Sequence, residues 1–130
     1  MARRDVQRAL ALLGPLEARI MREVWSDRVV QPFVVWDVNA RMPELAYTTV
    51  MTTVVRLADK GLLHVERVPG QRALRYRPAG TASEYLTWAS NRHAQELVSR
   101  FGDAALAAFE TQLGRLTDDQ RRRLREVSER

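Results

Sequence analysis

The sequence of 130 residues contains no cysteine, which excludes disulfides, thiolate zinc sites and cysteine nucleophiles. Its two histidines, His64 and His93, lie far apart and give no metal-ligand spacing. There is no glycine-rich phosphate loop, and the carboxylates form no constellation beyond ordinary helix caps. We therefore predict no enzyme, no catalytic residue, no metal site and no cofactor.

Long apolar runs are also missing. No stretch approaches the roughly 20 apolar residues that a membrane span needs. The segment Met1 to Leu13 has a basic start and a short Ala-Leu run, but the run stops at Gly14-Pro15 and no cleavage site follows. We interpret it as a basic arm or short helix rather than a signal peptide, and we expect a cytoplasmic protein that does not enter a membrane.

The positive charge is concentrated in the first part of the sequence. The net charge is +5, and Lys60 is the only lysine. Residues 1–80 hold 13 Arg and Lys against 8 Asp and Glu, which balances to +5, whereas residues 81–130 hold 8 of each. The asymmetry favours separate roles, and we predict two domains with these bounds, hinged at Pro78-Ala79-Gly80.

Three helices and a hairpin are predicted within residues 1–80. Gly14, Pro15 and Glu17 form a helix start, with Glu17 reaching back to the exposed N–H groups. The stripe that follows predicts a core helix: Leu13, Leu16, Ile20, Met21 and Val24. After Gln31-Pro32, a short helix is expected from about Val34 to Arg41, with these residues inward: Val35, Val38 and Met42.

The third predicted helix, from about Ala46 to Lys60, has two different faces. Val50, Val54 and Leu57 fall on one side at 100° per residue. The opposite side carries mainly short hydroxyl and methyl groups, with few charges: Thr48, Thr49, Thr52, Val55, Arg56 and Asp59. Small side chains permit close approach to another surface, and threonine can contact phosphates or base edges. Gly61 is expected to end this helix.

The period then changes from 3.6 to 2, which indicates a β-hairpin. Leu63 and Val65 alternate with polar neighbours, and so do Leu74 and Tyr76 across the turn Pro69-Gly70-Gln71. Three helices followed by a hairpin is the winged helix-turn-helix order. Four arginines surround the hairpin turn or lie on one strand face: Arg67, Arg72, Arg75 and Arg77. They are placed either to hold phosphates or to protect an exposed strand edge.

Residues 81–130 predict a helical dimerisation region. Thr81 to Glu84 is a capping box, Phe101-Gly102-Asp103 interrupts the helix, and Leu116 to Gln120 opens another. These short amphipathic helices have no obvious core of their own, so we expect a second copy to cover them, although folding back as a monomer is the alternative. The predicted dimerisation residues are Tyr85, Leu86, Trp88, Leu97, Phe101, Leu106, Phe109, Leu113 and Leu124.

Two segments resemble the BlaI/MecI/CopY group of bacterial repressors. The first is Leu13 to Met21 with Trp25, and the second is Ala46 to Thr52 with Arg56-Leu57 and Lys60-Gly61-Leu62. The resemblance covers the first 80 residues and implies a mainly α fold with a small β-hairpin wing, a winged helix-turn-helix. It implies a homodimer on an inverted-repeat operator in double-stranded DNA, with an inactivating protease or sensor as a further partner. By the match, Thr48, Thr49, Thr52 and Arg56 touch DNA, and the wing holds the flanking backbone. The complete predicted set is Tyr47, Thr48, Thr49, Met51, Thr52, Arg56, Arg67, Arg72 and Arg75.

Departures from the group concern induction and one helix position. The paired C-terminal cysteines of copper-responsive members are absent, and Ala108-Phe109 stands where the β-lactam branch is cleaved at Asn-Phe. Trp36 occupies a position that is often polar or basic, where it would pack under the third helix or donate its indole N–H to a phosphate; we favour packing.

Two alternative functions stay open. One is a winged-helix protein-interaction module, and the other is a small-molecule-responsive regulator with a pocket near Tyr85 and Trp88.

Overall fold

The computed structural model describes residues 2–129, without the side chain of Ala2. Two compact units divide the chain, Met1–Trp88 and Ala89–Arg130. The elements in chain order are α1 (Ala2–Ala11), α2 (Pro15–Trp25), α3 (Val35–Asn39), α4 (Tyr47–Asp59), β1 (Leu63–Glu66), β2 (Arg75–Pro78), α5 (Ala82–Phe101), α6 (Asp103–Gly114) and α7 (Asp118–Ser128). The predicted mainly α fold with a small hairpin is confirmed. The second and third predicted helices are each shorter at both ends than expected.

The core of the first unit lies between α2, α3 and α4. Each of these helices turns one apolar stripe inward, at the spacing that the sequence predicts. Most of these side chains are fully buried: Ile20, Met21, Val24, Val38, Met42, Val50, Val54 and Leu57. Gly61, with φ of 84°, ends α4 in the left-handed region, and the N–H of Leu62 reaches back to the carbonyl of Leu57 at 3.0 Å. The orientation of α4 is therefore fixed by its buried side.

The hairpin is joined to the helical core through Phe33, a contact that the sequence did not predict. Strands β1 and β2 pair antiparallel, with Leu63 opposite Pro78 and Val65 opposite Tyr76. Phe33 forms an isolated bridge to Tyr76, its N–H donating to the Tyr76 carbonyl at 2.8 Å and its carbonyl accepting at 2.7 Å. Both side chains are buried. A short extended piece before α3 thus holds the hairpin at the edge of the core.

Val65 corrects the alternation expected for β1. Leu63 and Val65 share one face of the strand, but Leu63 is buried and Val65 is 52% exposed, so the core covers Leu63 and does not cover Val65. The sheet has two strands, and its face is covered near Leu63 and Tyr76 only. The outer part of the hairpin has no core to face, and the period-2 pattern there does not report burial.

The segment before Gly14 forms a helix, in agreement with one of the two forms expected for it. In α1, Leu10 is buried in the core cluster and Val6 packs against it. The hydroxyl of Ser83 donates to the carboxylate of Asp5, which joins α1 to the start of α5. The arginines of α1 face outward.

Glu17 caps the start of α2 as predicted and makes a second contact that the sequence did not reveal. Its Oε1 accepts the Gly14 N–H at 3.1 Å, and its side chain pairs with Lys60 Nζ at 2.8 Å from Oε2. Burial opposes ionisation, but the hydrogen bonds from Lys60 and Gly14, with the charges of Lys60 and Arg56, outweigh it and lower the pKa of Glu17. The pair links the start of α2 to the end of α4.

The second unit consists of helices with few buried side chains. Gly102, with φ of 60°, separates α5 from α6, and Thr117 caps α7 by accepting the Gln120 N–H at 3.1 Å. Within the described part of this unit, Ala89 and Ala105 are its only buried hydrophobic residues. Its larger apolar side chains are mostly exposed, including Phe101 at 55% and Leu106 at 53%.

Candidate nucleic-acid interface

Helix α4 presents an outer face whose side chains are exposed as the sequence predicts. Thr48, Thr52, Val55 and Arg56 are exposed, whereas the inward side chains of the same helix are buried. Thr53 is a polar residue on the buried side, and its hydroxyl donates to the Thr49 carbonyl at 2.9 Å. Because that bond satisfies the buried hydroxyl, Thr53 belongs to the core and leaves the outer face to its neighbours.

The three threonines of the outer face differ in their hydrogen bonding. The Thr52 hydroxyl donates to the Thr48 carbonyl at 2.8 Å. Across residues 2–129, the hydroxyls of Thr48 and Thr49 make no hydrogen bond within the chain. Both are therefore available to an external acceptor such as a phosphate or a base edge.

The N-terminus of α4 has no capping side chain. Ala46 stands at the N-cap and makes no side-chain hydrogen bond, and the first turn contains no acidic residue. The partial positive charge at this end of the helix is therefore not offset by a capping side chain or by an acidic residue of the first turn. It adds to the positive character of the outer face.

Three of the arginines predicted to contact DNA have no carboxylate partner in the part of the chain that the structure describes. Arg56, Arg67 and Arg72 are exposed and form no ion pair there. Arg75, which is half-buried, donates to Gln71 Oε1 at 3.2 Å. By contrast, Arg77 pairs with Glu66 across the hairpin. The wing thus retains unneutralised positive charge, and Arg77 contributes least to it.

Trp36 lies next to the start of α4 and remains exposed. Its ring centroid is 4.3 Å from that of Tyr47, with an angle of 34° between the rings. Trp36 is 63% exposed, while Tyr47 is half-buried and packed against the core. The favoured expectation that Trp36 packs is met only in part, because the indole rests on one ring and faces solvent elsewhere. Its exposure could not be seen in the sequence, where tryptophan usually indicates burial.

The remaining predicted DNA contact, Met51, is 38% exposed and lies one turn beyond Tyr47. The structure therefore brings Tyr47, Thr48, Met51 and Thr52 together on α4. Arg67, Arg72 and Arg75 belong to the hairpin and its turn. Helix and hairpin are both parts of the first unit.

The predicted dimerisation residues are divided between the two units. Tyr85, Leu86 and Trp88 belong to the first, where Tyr85 packs against the core and lies 6.0 Å from the rings of both Trp25 and Trp88. Burial raises the pKa of the Tyr85 phenol. The other six belong to the second unit, where all are exposed except Phe109, which is half-buried: Leu97, Phe101, Leu106, Phe109, Leu113 and Leu124.

A cleft of about 270 Å³ opens beside the aromatic cluster of the first unit. The Trp25 indole N–H donates to the Gly80 carbonyl at 3.1 Å on its wall. Its lining residues are Trp25, Gly61, Leu62, Ala79, Gly80, Glu84, Tyr85 and Trp88.

Over residues 2–129, no helix has the length and apolar character to cross a membrane.

Comparison with known proteins gives a consistent result. The family model described as penicillinase repressor matches residues 13–130. The transcriptional regulator BlaI of Mycobacterium tuberculosis, from strain CDC 1551 and from strain H37Rv, is 36% identical over 118 residues, which is 88% of this chain and 83% of the relative.

Among solved structures, a MarR family regulator from Neisseria meningitidis covers 88% of this chain and 81% of its own, at 16% identity and a TM-score of 0.45. ZitR from Lactococcus lactis covers 82% and 75% at 13% identity, with a TM-score of 0.42. The family assignment depends on the sequence matches alone, which extend over most of the chain. This chain belongs to the penicillinase repressor family, whose members are transcriptional repressors and not enzymes.

Proposed function

We propose that this protein represses transcription as a homodimer that binds an inverted-repeat operator, with α4 of each copy in the major groove. The outer face of α4 carries the proposal. It combines exposed threonines, an exposed arginine without a carboxylate partner within residues 2–129, and an uncapped helix N-terminus. A face of this composition can approach a groove closely and offers donors, acceptors and methyl groups to base edges.

The hairpin supplies the second contact. Arg67, Arg72 and Arg75 are proposed to hold the phosphate backbone beside the groove. The bridge between Phe33 and Tyr76 supports this role, because it fixes the hairpin to the same core that orients α4. Two contacts from one rigid unit restrict the register in which the protein can lie on a duplex.

The second unit is proposed to form the dimer. Exposed Leu97, Phe101, Leu106, Leu113 and Leu124 are between 41% and 55% accessible, which is unfavourable for apolar side chains in water. A second copy covers such surface by two-fold symmetry. With one reading helix per copy, the half-sites lie about one helical turn apart, roughly 34–36 Å.

Selection of bound sequences from random duplex DNA, followed by footprinting, tests the proposal. A two-fold symmetric site protected in two adjacent major grooves is expected. Binding to duplex DNA that shows no dependence on salt, or no binding at all, would contradict it and would favour a protein-interaction module. A single asymmetric half-site would contradict the dimer while leaving the DNA-binding face intact.

Proteolysis at Ala108-Phe109 forms no part of this proposal, because the asparagine that the resemblance requires is replaced by Ala108. Phe109 lies in the middle of α6 and is half-buried. A protease needs an extended backbone segment in its active site, and a helical segment must unfold locally to provide one.

A further inference from the structure

The indole of Trp36 is an exposed aromatic group beside the proposed DNA-binding face. It is 63% exposed although tryptophan has the largest apolar surface of any side chain. Within residues 2–129, its indole N–H has no hydrogen-bond partner. The side chain thus offers a flat apolar ring and one unused donor in the same place.

Tyr47 holds this indole in a defined position. The two ring centroids are 4.3 Å apart, close enough for direct packing. Tyr47 itself is half-buried, packs against the core and is the first residue of α4. Trp36 is therefore supported by a side chain that the core immobilises, which reduces the conformational entropy lost when it meets a ligand.

Trp36 is also continuous with the outer face of α4. Tyr47, Met51 and Val55 are spaced by four residues, so they form one edge of that face, and Met51 and Val55 are 38% and 43% exposed. Trp36 extends this edge beyond the end of α4 and onto α3. A molecule that covers α4 along its length therefore reaches the indole next.

We propose that Trp36 contacts the sugar–phosphate backbone flanking the groove that α4 enters, an inference that rests on the proposed function. In a helix-turn-helix the helix before the reading helix crosses the backbone, and Trp36 is on that helix. The indole N–H donates to a phosphate oxygen, and the ring packs against the deoxyribose. The contact adds affinity without adding charge.

That last property makes the contact distinguishable from those of the arginines. A neutral donor displaces no counterion, so losing it weakens binding by the same factor at every salt concentration. Losing an arginine contact reduces the salt slope by about one unit for each phosphate. The dependence of affinity on salt therefore separates the two kinds of contact.

The first test compares Trp36→Phe and Trp36→Ala with the unaltered full chain, using the duplex recovered by selection over a series of salt concentrations. Trp36→Phe keeps an aromatic ring that can pack on Tyr47 but loses the N–H and the smaller ring of the indole, so we expect binding about three- to fivefold weaker. Trp36→Ala also loses the ring, and we expect a loss of about tenfold or more. Both variants should retain the salt slope of the unaltered chain. Leu12→Ala, which truncates another exposed apolar residue between α1 and α2, is the matched control and should bind normally.

The second test observes the indole directly. The protein has three tryptophans, so its 15N-labelled form gives three indole N–H resonances, of which Trp36→Phe removes one. On adding the duplex, we expect the Trp36 resonance to shift and its exchange with water to slow. An unchanged Trp36 resonance in the complex would overturn the proposal.

The two levels of inference fail differently. One outcome would overturn only the assignment of Trp36. In that outcome the unaltered chain binds with salt dependence, Arg56→Ala reduces the salt slope, and both Trp36 variants bind with normal affinity. A reduced slope in either Trp36 variant would overturn the neutral contact in favour of an indirect effect on arginines. Absence of binding to any duplex would overturn the proposed function and this inference together.

Discussion

Replacing Lys60 by methionine should destabilise the protein, because it removes the charged partner of a buried carboxylate. Glu17 is 5% exposed, and Lys60 Nζ lies 2.8 Å from its Oε2 and 3.0 Å from its Oε1. In Lys60→Met, the Gly14 N–H at 3.1 Å remains as a partner of the carboxylate. The methionine preserves the length and apolar part of the side chain, so the loss is mainly that of the ion pair.

The size of the effect follows from how far the pair is buried. Removing one partner of a fully buried pair costs about 3–5 kcal/mol, whereas an exposed pair is worth about 0–1 kcal/mol. The Lys60 side chain is 50% exposed while Glu17 is buried, so we expect an intermediate loss of about 1–2 kcal/mol in the free energy of unfolding. For a domain of this size, that lowers Tm by roughly 5–10 °C.

The loss should also depend on pH. The pKa of Glu17 is lowered in the folded protein, so its ionisation stabilises the fold above the ordinary glutamate pKa, and that contribution is lost as the pH falls through the folded value. Without Lys60 the burial that raises the pKa is less opposed, so the pKa of Glu17 moves upward. The difference between Lys60→Met and the unaltered chain should therefore be largest near neutral pH and shrink in acid.

Urea unfolding at about pH 7 and about pH 3.5, at one protein concentration, measures both effects. Glu17→Gln and the double variant complete a thermodynamic cycle that isolates the coupling between the two side chains. Arg122→Met, which removes an exposed pair with Asp119 at 2.7 Å, is the control and should change stability by less than about 0.5 kcal/mol. A Lys60→Met deficit below about 0.3 kcal/mol at neutral pH, or one equal at both pH values, would refute the reasoning.

Three further predictions address binding, assembly and packing. Arg56→Ala and Arg72→Ala should each reduce the slope of log affinity against log salt by about one unit. The control is Arg77→Ala, which should leave the slope unchanged because the Arg77 guanidinium already pairs with Glu66. Equal slopes in all three variants would count against the assigned DNA-binding face. The double variant Leu106→Asp, Leu113→Asp should give a folded monomer in sedimentation, whereas Gln112→Asp on the same helix should remain dimeric. A dimer that persists in the double variant would exclude the face of α6 that carries Leu106 and Leu113 as the interface. Leu57→Ala should lower the free energy of unfolding by about 2–5 kcal/mol, measured by chemical unfolding. Val55→Ala, at an exposed position of the same helix, should lower it by less than about 0.5 kcal/mol. Equal losses in the two variants would show that α4 does not pack through its Leu57 side.

The helices could be predicted because their signals are local. A stripe at helical spacing, a capping glutamate and a terminating glycine all act within a few residues. Helix α2 begins, and α4 begins and ends, close to the expected positions. The buried side of α4 followed from the same periodicity, with Val50, Val54 and Leu57 fully buried. Its outer face was found by exclusion, as the side on which charge is scarce.

Contacts between distant parts of the sequence could not be predicted. The pairing of Glu17 with Lys60 and the bridge from Phe33 to Tyr76 each join residues that are more than 40 positions apart. Nothing in a local pattern specifies such partners, since they depend on how the helices pack. Val65 shows the related error, because alternation predicts burial only where a second layer is present.

Trp36 lies between these two cases. The sequence identified it as unusual and offered two roles, packing and phosphate contact, of which packing was favoured. The structure shows the ring contact with Tyr47 and the exposure of the indole together, which a choice between the two roles did not anticipate. Amphipathic side chains often serve both purposes at once, because the ring packs while the polar atom faces outward.

The hydrogen bond from the Thr52 hydroxyl to the Thr48 carbonyl restricts the DNA contact proposed for Thr52. A hydroxyl has one hydrogen, and in Thr52 it is already directed along the helix at 2.8 Å. Only the oxygen lone pairs and the methyl group remain for a neighbour. An amino group, such as N6 of adenine or N4 of cytosine, can donate to that oxygen, whereas O6 of guanine and O4 of thymine would meet an acceptor with an acceptor. If α4 enters the groove as proposed, this hydrogen bond within the helix biases the Thr52 position toward bases that carry an amino group.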